Sequence, residues 1–171
     1  MIEAIVYVSK CGHTEKYAKE LSEQLNLPRY TLAQAKKNLP KRSRILFMSW
    51  IMEDKLVGYE KALRYSIDRV VAVGILPATE ERVYRVKEYN FLHTPLYYLP
   101  GGIQKKKLSF LKKLKLKWIE NELSFKLLDH GLKKEETFAL EAILHDLDYV
   151  DFSKLDPIIK YYLDDKKDYI S

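Results

Sequence analysis

The sequence predicts an α/β fold in which a mostly parallel sheet carries helices on both faces. Three observations support this prediction: short apolar runs, helical spacing of apolar residues between them, and a length of 171 residues. Apolar runs rich in β-branched residues are typical of strands that are covered on both sides. Alternation of such strands with helices favours βαβ units. Because the chain shows no linker or internal repeat, it is predicted to form one domain over residues 1–171.

The predicted elements follow one another in the order that such a fold requires. The first strand is predicted at 2–8, and a helix follows at 14–27, where apolar residues recur on one face. Two further strands are predicted at 28–32 and 44–49, and a polar loop follows the second of them. The remaining predictions are a helix at 59–67, strands at 68–74 and 96–99, helices at 105–128 and 134–147, and a last helix from Asp156 onward.

Composition restricts the classes of function that the chain can have. The formal net charge of +6 favours anionic partners, and the single cysteine excludes an intramolecular disulfide. The first residues lack the basic and apolar regions of a secretory signal, and no apolar run approaches the roughly 18 residues of a membrane-spanning helix. We therefore expect a cytoplasmic protein, and peripheral attachment to the inner face of a membrane stays open.

The junction between the first strand and the first helix carries a polar run, Ser9-Lys10-Cys11-Gly12-His13-Thr14. In an open parallel sheet, ligands bind beyond the carboxyl ends of the strands, and a helix N-terminus there favours an anion such as phosphate. Ser9 and Thr14 offer hydroxyl groups, and Gly12 lets the backbone come close to a ligand. The alternative is that Thr14 only caps the helix and Gly12 only turns the chain.

Spacing excludes several other phosphate motifs at this junction. Neither G-x-x-x-x-G-K-[ST] nor G-x-G-x-x-G is present, so the P-loop and the dinucleotide fingerprint do not fit. A cysteine phosphatase of the C-x5-R kind would need an arginine where this chain has Tyr17. The histidines lack metal-ligand spacing, and only His13 is placed beside the predicted anion site.

The segment 7–16 resembles the flavodoxin signature [ST]-x-[ST]-G-x-T, whose loop holds the phosphate of FMN. The resemblance implies a flavodoxin-like three-layer fold, with a five-stranded parallel sheet of order 2-1-3-4-5 and a long helical insert after the fifth strand. It also implies that residues Ser9 to Thr14 surround the phosphate of a noncovalently bound FMN. Cys11 stands where the family usually has Thr or Ser, and a thiol is a weaker donor than a hydroxyl.

Two further segments resemble the loops that hold the flavin ring in this family. They are Ser49-Trp50-Ile51-Met52 after the third strand and Gly74-Ile75-Leu76-Pro77 after the fourth. By this resemblance Trp50 is the candidate to stack on or edge the ring, because it offers a large apolar face. An apolar ring site would shift the redox steps of the flavin. The alternative is that Trp50 is a core or surface aromatic residue without a ligand.

From Asp68 onward the chain resembles one branch of the family, the flavodoxin-type protoporphyrinogen oxidases. The segments that carry this resemblance are 84–95, Pro100-Gly101-Gly102, 103–128 and 148–152. The resemblance implies electron transfer through FMN, with a redox protein, a quinone or a porphyrinogen-like molecule as partner. The alternatives are a porphyrinogen-oxidising flavoenzyme at a membrane surface and a flavodoxin-fold binding protein that has lost FMN.

The segment Lys105 to Trp118 is strongly basic and also apolar. It holds seven lysines and no acidic residue, so a helix formed here could lie on an anionic membrane with Phe110 and Trp118 as anchors. It could equally attract an acidic redox partner or a propionate-bearing substrate, or simply be a solvated helix packed on the domain. Nucleic acid is not favoured, because no recognition motif accompanies the lysines.

Overall fold

The computed structural model describes residues 1–168, with side chains described for all of these except Lys112 and residues 165–168. The strands are β1 (Ala4–Val8), β2 (Arg29–Thr31), β3 (Arg44–Met52), β4 (Lys55–Leu56), β5 (Ser66–Gly74) and β6 (Leu96–Pro100). The helices are α1 (His13–Leu25), α2 (Leu32–Asn38), α3 (Tyr59–Ala62), α4 (Glu80–Tyr89), α5 (Phe110–Asp129), α6 (Lys134–His145) and α7 (Asp156–Asp168). Single 3₁₀ turns lie at Lys105–Lys107 and Phe152–Leu155.

The sheet is parallel across five strands in the order β2-β1-β3-β5-β6, and β4 pairs antiparallel with β3. The predicted α/β fold with a parallel sheet is therefore confirmed. The prediction of five strands was incomplete, because β3 continues through Trp50 to Met52 and turns back into β4. Glu53 and Asp54 make this turn with φ values of 52° and 63°, and two positive φ angles suit the twist of a tight hairpin.

Helices cover the sheet on both faces, because alternate residues of each strand point to opposite sides. One apolar cluster joins one face to α1 and α7, and a second joins the other face to α2, α3 and α4. Fully buried strand residues are Ile5, Leu46 and Val71 in the first cluster and Val6, Phe47 and Val70 in the second. The arrangement is three layers, with the sheet in the middle.

Two helix predictions differ from the structure, and two helices were not predicted. The helix predicted at 59–67 ends at Ala62, because Ser66 and Ile67 pair with β3 and belong to β5. Two helices, α2 and α4, were not predicted, although each begins after a threonine whose side chain accepts a backbone N–H: Thr31 and Thr79. The helix predicted from Lys105 is interrupted, and its long part begins at Phe110.

The helices α5 and α6 form a unit whose two ends lie side by side where they join the rest of the protein. A third apolar cluster, which includes Leu123, Leu140 and Ile143, holds the two helices together. An antiparallel bridge between Gly102 and Asp148 closes the unit at its base. We call residues 103–147 the helical insert. Among the residues that the structure describes, no helix is long and apolar enough to cross a membrane.

Candidate functional site

A cavity of about 270 Å³ lies at the carboxyl ends of β1, β3, β5 and β6. Its volume is close to the lower end of the range for sites of small organic molecules. All three segments that were predicted to form a site contribute to its wall. The predicted residues that line it are Ser9, Lys10, Cys11, His13 and Thr14 after β1, Trp50, Ile51 and Met52 at the end of β3, and Gly74 and Ile75 at the end of β5.

The helix α1 begins at this cavity without a side-chain cap. Gly12 is the cap residue of α1 and has a φ of 99°, a left-handed conformation that favours glycine. Among the side chains that the structure describes, none caps this helix, and Thr14 is buried inside the first turn. The alternative that Thr14 caps α1 is therefore wrong. The first N–H groups of the helix need another acceptor, and an anion is well suited to that position.

The loop before α1 is held in shape by its own first residue. The Gly12 N–H donates to Ser9 Oγ at 3.2 Å, which closes the turn ahead of the helix. Ser9 also lines the cavity. The turn thus brings a hydroxyl and the start of α1 to the same end of the cavity.

His13 is the second polar feature of this end of the cavity. Its side chain is buried, with 4% of the residue exposed, and its Nε2 atom has no hydrogen-bond partner among the described residues. The Oδ1 atom of Asp148 lies 3.6 Å from this nitrogen, just beyond hydrogen-bond distance. Burial lowers the pKa of His13 below its usual 6.5, and the charges of Lys16 and Lys107 act in the same direction, whereas Asp148 opposes them. The imidazole is therefore neutral at neutral pH.

Asp148 holds the base of the helical insert beside α1. Burial alone would raise its pKa, but the hydrogen bonds from Lys16 and the Val150 N–H, with the charge of Lys16, lower the pKa overall. The carboxylate is ionised and paired with Lys16. Its position fixes the end of the insert next to the loop that begins α1.

The start of the helical insert folds over the same loop. Lys107 Nζ donates to the carbonyl oxygen of Cys11 at 3.2 Å, and Cys11 Sγ lies 3.9 Å from the carbonyl oxygen of Gln104. An ammonium group thus lies beside the uncapped helix start. Sequence reasoning assigned Lys107 only to a basic surface segment and missed this contact, because the two residues are 96 positions apart.

The helical insert also supplies an apolar wall that sequence reasoning did not anticipate. Leu108, Leu116 and Ile119 line the cavity together with Ile51, Met52 and Ile75. An ion pair between Lys115 on α5 and Glu53 in the β3–β4 turn joins the insert to the sheet at the cavity edge. The part of the wall away from α1 is therefore mostly apolar, with this ion pair at its edge.

Four of the predicted site residues do not line the cavity. Ser49 is fully buried, and its hydroxyl donates to the carbonyl oxygen of Val57 at 2.6 Å. Leu76 and Pro77 follow β5 but lie outside the cavity wall, and Gly12 contributes through its backbone conformation. Within the described part of the chain, no group of three His, Cys, Asp or Glu side chains is arranged to hold a metal ion.

No protein-family model matches this sequence, and no curated protein is significantly similar to it. The family resemblance therefore rests on the loop 9–14 and on the segments that follow it in order. Because one fold can host many functions, the function is inferred from the geometry and chemistry of the cavity.

Proposed function

We propose that this chain is a flavodoxin-like protein that binds FMN noncovalently and transfers electrons through it. The order of its five parallel strands supports the proposal: with the two-residue β4 set aside, they run second, first, third, fourth, fifth across the sheet. In such sheets a ligand binds beyond the strand ends where the order reverses, and the cavity lies there.

The end of the cavity next to α1 suits a phosphate group. The uncapped N–H groups of α1 and the hydroxyls of Ser9 and Thr14 are the groups that would hold it. The ammonium of Lys107, which donates to the Cys11 carbonyl beside the cavity, would add positive charge nearby. The unpaired Nε2 of His13 adds a neutral hydrogen-bonding group at the same end. Together they offer donors and positive charge, which is the chemistry that a phosphomonoester requires.

The opposite end of the cavity suits a flat apolar ring. Trp50, Ile51 and Met52 on β3 and Ile75 after β5 line it, and the helical insert covers it with Leu116 and Ile119. These side chains would orient the ring and exclude water from it. The bound flavin supplies the electron chemistry, and the apolar wall tunes its potential.

One observation carries the proposal: three segments far apart in sequence line a single cavity that has a phosphate-compatible end and an apolar end. Residues of the segments 9–14, 50–52 and 74–75 meet there although Ser9 and Ile75 are 66 positions apart. A P-loop or dinucleotide site would need glycine motifs that the chain lacks.

Retention of flavin tests the proposal. The protein is incubated with FMN or with riboflavin, desalted, and examined for visible flavin absorbance. We expect the protein to keep FMN and to lose riboflavin, because riboflavin lacks the phosphate. A redox titration of the retained FMN should give a midpoint potential different from that of free FMN. Loss of both flavins on desalting would reject the proposal.

A further inference from the structure

The long helix α5 carries apolar side chains on two opposite sides. Successive helical residues step by about 100°, so Leu116, Ile119 and Leu123 lie on one side and pack against α6 and the cavity. The opposite side is apolar as well. It presents Phe110, Leu111, Leu114, Trp118 and Phe125 at helical spacing, and all of them are among the exposed large apolar residues.

The large apolar side chains on this outer side are mostly exposed to solvent. Leu111 is 76% exposed, Trp118 65% and Phe125 71%. A single exposed apolar residue is ordinary, but several of them on one side of a helix mark an interaction surface. The helix has 20 residues and is therefore about 30 Å long. We call this row, residues 110, 111, 114, 118 and 125, the outer face of α5.

Lysines border the N-terminal half of this face on one side and precede the helix. Lys113 and Lys117 are exposed and lie on one flank of it, and Lys106 and Lys107 precede the helix. The segment 103–118 contains no acidic residue. Lys112 belongs to the same segment, but its side chain lies outside the described residues. An apolar row with aromatic residues, bordered by lysines, is the pattern of a helix that lies in the surface of an anionic bilayer.

We propose that the outer face of α5 docks the protein on an anionic lipid surface. Phe110, Leu114 and Trp118 enter the boundary between headgroups and acyl chains, and the flanking lysines contact lipid phosphates. A second copy of this chain fits the face less well, because the lysines of the two copies would repel each other. The inner side of α5 keeps its contacts with the cavity, so docking leaves the proposed FMN site intact.

Vesicle co-sedimentation of the full chain tests the proposal. Binding to phosphatidylcholine–phosphatidylglycerol vesicles should exceed binding to pure phosphatidylcholine vesicles and should fall as salt rises. The double variant L114S/W118S should lose about tenfold or more in vesicle affinity. The matched variant L63S/F91S removes two apolar side chains that are also exposed, but on other parts of the protein, and should bind as the wild type does.

The lysines are tested in the same assay. Each lysine removed near the surface should cost about fivefold in affinity, so K113Q/K117Q should bind anionic vesicles about 25-fold more weakly. The control K36Q/K37Q removes the same charge from exposed positions on α2 and should change affinity far less. Circular dichroism verifies that each variant is folded.

Three outcomes would overturn the proposal. Equal binding to neutral and anionic vesicles would show that the lysines have no part in docking. Unchanged binding by L114S/W118S would place the contact elsewhere on the protein. A concentration-dependent dimer that L114S/W118S converts to a monomer in sedimentation velocity would assign the face to a second copy. In contrast, a blue shift of tryptophan fluorescence on anionic vesicles that is absent in W118F supports the proposal.

Discussion

At the scale of single residues, the loop before α1 combines an imperfect motif with a cation from a distant segment. Cys11 stands where the flavodoxin signature that this loop resembles has a hydroxyl residue, and its carbonyl oxygen accepts a hydrogen bond from Lys107. In the proposed site this lysine contributes positive charge where the thiol contributes only a weak donor. The motif itself could be predicted from the sequence, but the lysine could not, because its contact depends on how the helical insert folds back.

Replacement of Lys107 should weaken FMN binding. Lys107→Ala removes an exposed ammonium beside the proposed phosphate position, so we expect a loss of about two- to fivefold in affinity and a weaker dependence on salt. Lys106→Ala is the control, since Lys106 is an exposed neighbour in the same turn. Fluorescence titration with FMN measures both variants. Equal affinities for the two variants at low salt would contradict the assignment of Lys107.

His13 should make the stability of the protein depend on pH. Burial lowers its pKa in the folded state, whereas an unfolded histidine titrates near pH 6.5. Below that pH the unfolded chain binds a proton that the folded chain does not, so the free energy of unfolding falls as the pH falls below about 6.5 and levels off once the pH is below the folded pKa. In His13→Gln this fall should be smaller between about pH 7.5 and about pH 5.5. Urea unfolding across this range provides the measurement, and an unchanged slope in the variant would contradict the role of His13.

At the scale of elements, most strands, the helix α1 and the two helices of the insert follow from local patterns. The covering helices α2 and α4 were missed, and the way the insert folds over the cavity depends on contacts between distant segments. The apolar runs 2–8 and 68–74 placed β1 and β5 correctly within a few residues. The helix α2 could have been predicted from Thr31 and Gln34, whose reciprocal hydrogen bonds form a capping box. The extension of β3 could not be predicted in this way. The run from Trp50 to Met52 is apolar and fits a strand or a loop, and the Glu53-Asp54 turn lacks the Asn-Gly signal of a hairpin.

We expect the helical insert to open independently of the sheet. Its apolar cluster is distinct from the two clusters that hold the sheet, and small units of this kind open before the core does. We expect amides of α5 and α6 to exchange with solvent faster than amides of β3 and β5. Hydrogen exchange followed by mass spectrometry measures this difference.

A substitution in the apolar cluster of the insert tests that prediction more directly. Leu140→Ala removes a buried side chain from the insert cluster and should cost about 2 kcal/mol, near the lower end for such changes because the cluster is small. Exchange in α5 and α6 should accelerate, and exchange in β3 should stay the same. Leu128→Ala, at a position that is 87% exposed, is the matched control. Acceleration of β3 to the same extent would show that insert and sheet unfold together.

At the scale of the whole molecule, the helical insert connects the two proposals. One side of α5 covers the cavity, and the other side presents the outer face toward solvent. The positive net charge of the chain is concentrated in this region by the run of lysines before and within α5. The protein would thus hold FMN beneath a helix that rests on a lipid surface, a position from which electrons can pass to or from partners at a membrane.

A titration of the flavin-free protein with FMN, with riboflavin in parallel, tests the central claim most directly. Quenching of flavin fluorescence reports binding. The proposed site predicts saturable binding of one FMN per chain, with riboflavin weaker by about tenfold or more because it lacks the phosphate. Absence of saturable FMN binding, or equal affinity for the two flavins, would contradict the claim that the loop 9–14 and the start of α1 hold a phosphate.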